Sequence, residues 1–141
     1  MKAKVSWFKD LSFVGESASG HAVTMSAGSN SGGRDSMPTP MEMVLMAVGG
    51  CSSIDVVMIL KKGRQHVLDC VCELDSERAE TSPKVFRKIH AKYIVTGKQL
   101  KPDQVERAVS LSLEKYCSVA LMLKDNVEIT SSFEIIEASD D

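Results

Sequence analysis

The 141-residue chain has no excess of charge of either sign: 17 Lys and Arg stand against 19 Asp and Glu, a formal net charge of -2. A dedicated nucleic-acid binder needs a broad basic field, so that class is set aside. The N-terminal stretch MKAKVSWFKDLSF has neither an apolar core of useful length nor a small-residue cleavage site. No export signal is expected there, and the expected compartment is the cytoplasm. Without such a signal, the four cysteines read as reduced thiols and not as a secreted disulfide scaffold. The only apolar run of membrane length, MEMVLMAVGGCSSIDVVMIL at 41–60, carries Glu42 and Asp55 and is interrupted by GGCSS. A buried helix suits it better than a membrane span. The three histidines are scattered without HExxH or Cys/His spacing, and no GxGxxG, P-loop or GxSxG motif occurs. Zinc, nucleotide and serine-hydrolase chemistry therefore have no sequence support, no cofactor is expected, and cysteine chemistry or none remains.

Hydrophobic residues at 43% and charged residues at 26% can build one core, and no internal repeat divides the chain. A single domain over 1–141 is expected. Val5/Trp7, Leu11/Phe13 and Val23/Met25 repeat with period two in three short runs, which predicts three strands before an exposed loop at 27–37. Thr39-Pro40-Met41-Glu42 is a helix start, with threonine as N-cap, proline at the first position and glutamate closing a capping box. That helix is expected to run to Lys61-Lys62 and to stop at a left-handed Gly63. From Val44 to Leu60 it is apolar on nearly every face, more than one short chain can cover, which argues for a second copy.

Leu68, Cys70, Cys72 and Leu74 alternate with polar residues, so both cysteines face inward on a strand. A further strand over 85–96 buries Val85, Ile89, Ala91, Tyr93 and Val95, with Arg87 as the misfit. Pro102 opens a helix with the stripe Val105, Ala108, Val109, Ser112, Leu113 and Tyr116, extended by Cys117, and Ser118 is placed to cap a short further turn. A last strand alternates Val127, Ile129, Ser131, Phe133 and Ile135, and the ASDD tail should fray. The order βββ-α-ββ-α-β predicts an α+β fold with antiparallel sheets covering two helices.

Gly49-Gly50-Cys51-Ser52-Ser53 puts glycines at mid-helix, at a cost of roughly 1 kcal/mol each. Close approach of the other cysteine-bearing helix would offset this and bring Cys51 towards Cys117. Both could be small core residues or a redox pair. Cys70 and Cys72 have no metal-site partners and no helix end, so they read as core.

The segments PTPMEMVLMAVGGCSSIDVV and EKYCSVALMLKDNVEI, with their separation, resemble the OsmC/Ohr family of thiol-dependent peroxidases, most closely its YhfA-like branch. The resemblance spans essentially the whole chain. It implies an intertwined homodimer with sheets wrapped around two central helices and active sites at the subunit interface. It implies that Cys51 is oxidised by a peroxide to a sulfenic acid, that Cys117 condenses with it, and that a dithiol such as a lipoyl group reduces the disulfide. The family lowers the thiol pKa with an arginine from the loop before the cysteine helix, a region that here holds Arg34. The family glutamate after the proline is Met41 here, with Glu42 one residue on. Asp55, one turn from Cys51, has no counterpart in the family pattern and is expected to pair with a cation such as Lys115 or to contact a ligand. A second reading keeps the fold as a binding protein, with Met37 and Met41 lining a pocket for an apolar or sulfur-containing small molecule.

Overall fold

A computed structural model describes residues 1–140. It comprises two compact units, Met1–Val44 and Leu45–Asp141. In the first, β1 (Ala3–Lys9), β2 (Ser12–Ser17) and β3 (Ala22–Ser26) form an antiparallel sheet in the order β1-β2-β3. The three expected strands are present. Ser12 and Ser26 are buried opposite each other, their hydroxyls 3.2 Å apart. Val5, Trp7, Phe8 and Val23 on the strands and Leu11 in the β1–β2 turn are all exposed, an unusual density of large apolar groups for so small a sheet.

The helix α1 (Pro40–Lys62) starts where its capping box requires. Thr39 Oγ1 accepts from the Glu42 N–H at 3.1 Å, and Glu42 Oε1 accepts from the Thr39 N–H at 2.9 Å. Its other end differs from expectation in one residue. Gly63 is not left-handed; Arg64 is, at φ 59°. The Gln65 N–H reaches the Leu60 carbonyl and the Arg64 N–H reaches that of Lys61, the paired bonds of a Schellman stop.

In the second unit, β4 (His66–Arg78), β5 (Phe86–Lys98) and β6 (Glu128–Glu137) form a sheet in that order. The β4–β5 pairing is antiparallel, but β6 runs parallel to β5, which corrects the all-antiparallel expectation. Between β5 and β6 the chain passes through α2 (Pro102–Leu111), a π-turn at Ser112–Tyr116 and α3 (Ser118–Leu123), the helical crossover that parallel pairing needs. Val56 and Leu60 of α1, Ala91, Tyr93 and Val95 of β5, and Val105, Ala108 and Val109 of α2 form the core, with Cys70, Cys72 and Leu74 packed against it.

Two strand expectations shift because of irregularities in register. A shift between Val67 and Asp69 turns Val67 towards the core and leaves Leu68 exposed. A second shift at Glu77/Arg78 brings Phe86 inside in place of Val85. The end of the chain is pinned at Ala138, whose N–H donates to the Gly97 carbonyl. Asp141, the last residue of the tail expected to fray, lies outside the described residues.

α1 is long and apolar enough to cross a membrane by length and composition alone. One side of it, through Val48, Ser52, Val56 and Leu60, is buried in the protein. The opposite side, Met46, Gly50, Ile54 and Met58, is exposed, with Ile54 63% accessible. This i, i+4 stripe is apolar along its length.

Candidate active site

Four cysteines, all reduced, lie in the second unit. Cys51 sits mid-way along α1 and is half-buried; Cys117 is fully buried. Cys51 lies near enough to push up the Cys117 thiol, so the two segments bring these cysteines towards each other as expected. Gly49, two residues before Cys51, does not serve that convergence. A Cβ on Gly49 would meet Leu74 Cδ1 at 2.6 Å and Cys72 Sγ at 3.7 Å, so it is the sheet, not the second cysteine helix, that Gly49 lets approach. Gly50 faces open space.

The approach to Cys117 depends on the helix breaking. α2 ends at Leu111, and the π-turn that follows closes with the Cys117 N–H donating to the Ser112 carbonyl at 2.6 Å. The stripe expected to run on through Tyr116 is interrupted there: Tyr116 is 50% exposed. Cys117 then has extended backbone, φ -69° and ψ 105°, and is itself the N-cap of α3. Its Sγ accepts from the Ala120 N–H at 3.4 Å, which corrects the expectation that Ser118 would cap this turn. A sulfur at a cap position is a weak acceptor, so a sequence rule favouring serine misses it.

Burial pushes the Cys117 thiol up to about 11, and the neighbouring Cys51 pushes in the same direction. The Ala120 and Val119 backbone amides act against this. Cys70 and Cys72 are also raised, chiefly by burial, while the nearby Ser53 hydroxyl acts to lower both. The core role expected for these two holds.

A polar chain lies behind the thiol pair. Tyr93, fully buried, donates its hydroxyl to Ser52 Oγ at 2.7 Å, and Ser52 Oγ donates to the Val48 carbonyl at 2.7 Å. The fully buried Ser112 Oγ sits 3.0 Å from Asp55 Oδ2 and 3.1 Å from the Ser52 carbonyl. Asp55 therefore has a hydroxyl partner. Lys115, the expected cation, stands over the Tyr116 ring instead, 5.5 Å from its centroid. From the sequence alone, Ser52, Tyr93 and Ser112 each read as an ordinary core position.

Asp55 also lines a cleft of about 520 Å³ with Met58, Ile59, Lys62, Arg107, Leu111 and Tyr116. The other residues named from the sequence belong to the first unit. Arg34 makes a two-nitrogen contact with Asp10 Oδ2, at 3.2 Å from Nε and 3.1 Å from Nη2. Glu42 closes the capping box, and Met37 and Met41 are half-buried. Among the described residues no group of three or more His, Cys, Asp or Glu is placed to hold a metal ion.

Comparison with known proteins agrees with this architecture. The family model for OsmC-like protein matches residues 33–132. The chain is 58% identical over 138 residues to protein YhfA of Escherichia coli strain K12, covering 98% of this chain and 100% of that one. Among solved structures, a hypothetical protein from Aquifex aeolicus matches with a TM-score of 0.86 and 31% identity, over 98% of this chain and 97% of that one. An organic hydroperoxide resistance protein OsmC from Legionella pneumophila shares the fold, with a TM-score of 0.71 at 15% identity over 94% and 95% of the two chains. The chain belongs to the OsmC-like protein family.

Proposed function

We propose that this protein is a cytoplasmic thiol-dependent peroxidase that reduces organic hydroperoxides, with hydrogen peroxide as a second oxidant, in defence against oxidative stress. The observation that carries the reading is the nearness of two free thiols, Cys51 half-buried and Cys117 buried at the start of α3, close enough for one to shift the titration of the other. The likeness of fold to a protein named for organic hydroperoxide resistance supports it.

In the first step Cys51 sulfur attacks a peroxide oxygen, the O–O bond breaks, the alcohol leaves, and Cys51 becomes a sulfenic acid. Cys117 sulfur then attacks Cys51 sulfur; the hydroxyl departs with the Cys117 proton as water, leaving a disulfide. An external dithiol of the lipoyl type restores both thiols by exchange and leaves as its own disulfide. Arg34 is the cation assigned to the Cys51 thiolate in this reading, which requires it to exchange its Asp10 contact. The exposed stripe Met46-Gly50-Ile54-Met58 supports a homodimer in which a second copy covers it.

Mass spectrometry of the reduced protein after one equivalent of organic hydroperoxide tests the reading. A rapid loss of two hydrogens mapped to Cys51 and Cys117 is expected. Oxidation no faster than that of Cys70 and Cys72 would overturn it.

A further inference from the structure

We propose that Ser112 and Asp55 form a clamp that sets the reach of Cys117 towards Cys51, making them positioning residues for disulfide formation. The proposal rests on the peroxidase reading for its biological purpose, but its geometry stands on the hydrogen bonds of Ser112 alone. Ser112 is tied at both of its ends. Its side-chain hydroxyl is shared between the Ser52 carbonyl, in the residue next to Cys51, and Asp55 Oδ2, one turn further along α1. Its own carbonyl accepts the N–H of Cys117 at 2.6 Å. One buried residue thus links the turn of α1 that carries the first thiol to the backbone of the second.

The link matters because a π-turn is a poor conformer that persists only where its surroundings support it. Here it also replaces the helical continuation that would have left Cys117 on the stripe of α2. A carboxylate acceptor makes the support charge-assisted, and such bonds are stronger than neutral ones. Removing the Ser112 hydroxyl frees the π-turn to relax and strips Asp55 of this partner. The first thiol, on the uninterrupted helix α1, is not held by the turn. The clamp therefore acts on condensation and not on the initial oxidation of Cys51.

The test compares two oxidants on the full-length protein. Diamide joins neighbouring thiols without needing a peroxide site, whereas an organic hydroperoxide needs one. In Ser112→Ala and Asp55→Ala, disulfide formation between Cys51 and Cys117 should slow by about tenfold or more with either oxidant, the scale expected for a misplaced reacting group. Sulfenic acid at Cys51, trapped with dimedone, should form at the unmodified rate and accumulate. Asp55→Asn, which keeps a carbonyl acceptor, should recover most of the condensation rate. Should Ser112→Ala fail to fold, judged by thermal unfolding, the half-buried Asp55 pair carries the test. Unchanged condensation with diamide, or equal slowing of both steps, overturns the clamp. If peroxide leaves Cys51 reduced in the unmodified protein, the peroxidase reading falls while the diamide measurement still decides the clamp.

Discussion

The two cysteine pairs of the second unit are made of the same side chain and share one neighbourhood, yet differ in what the backbone does around them. Cys70 and Cys72 lie two apart on β4, where ladder bonding uses the backbone and the thiols pack against the core beside the Ser53 hydroxyl. Cys51 and Cys117 come from two different helical segments 66 positions apart, and Cys117 stands where α3 begins, with free amides directed at its sulfur. A strand fixes two thiols side by side on one face; a break between helices brings distant thiols together and supplies donors. The second arrangement is the one to which the proposed cycle assigns its disulfide.

The comparison can be broken by mutation. Cys51→Ser should abolish the two-hydrogen loss on treatment with organic hydroperoxide, whereas Cys72→Ser should leave its rate and yield unchanged, both read by peptide mass spectrometry. If Cys72→Ser stops the reaction, the two pairs are not separate. Tyr93→Phe removes the hydroxyl that joins β5 to Ser52 and touches Cys72, and should cost about 1–2 kcal/mol in urea unfolding, the range for a buried hydrogen bond. Little change there would mean that Ser52 is held by the Val48 carbonyl alone.

pH sharpens the contrast further. With the Cys117 thiol pushed up to about 11, its reactive anion grows about tenfold per unit of pH from 7 to 9, so condensation should accelerate correspondingly in stopped-flow measurements. The sign for stability is the reverse. Cys70, Cys72 and Cys117 are all raised above the ordinary 9.0, so folding holds their protons while the unfolded chain releases them. That contribution is complete below about pH 9 and is lost as pH rises towards the folded values. The smallest effect is expected from Cys70→Ala: a half-buried thiol on a strand face, with a change in stability of about 1 kcal/mol or less in the same urea assay.

Local chemistry was readable where it is decided locally. The capping box of α1 appears at the residues its spacing requires, because side chain and backbone partners lie three positions apart in sequence. The three strands of the first unit follow from period-two patterning, and the antiparallel β4–β5 pair from the same rule. Alternation puts Leu68 and Val85 inside because it cannot reveal a register shift, which depends on the partner strand. Tyr116 was assigned to the α2 stripe because the 3.6-residue period continues through it; the π-turn that exposes it is held by Ser52 and Asp55 of another helix.

The candidate site divides in the same way. That Cys51 and Cys117 belong together was legible from two motifs and their family resemblance, and α1 as a long apolar helix with small residues beside Cys51 was legible from composition. The sequence by itself determined the helix start, the alternation of the strands and the identity of the thiols, since each depends on residues near in the chain. Tertiary structure alone decided that β6 runs parallel to β5 and that Gly49 admits the sheet. It also decided that Asp55 meets Ser112 across 57 positions. Each of these is a contact between elements, whose energy exists only once the chain has folded and no single stretch of it encodes.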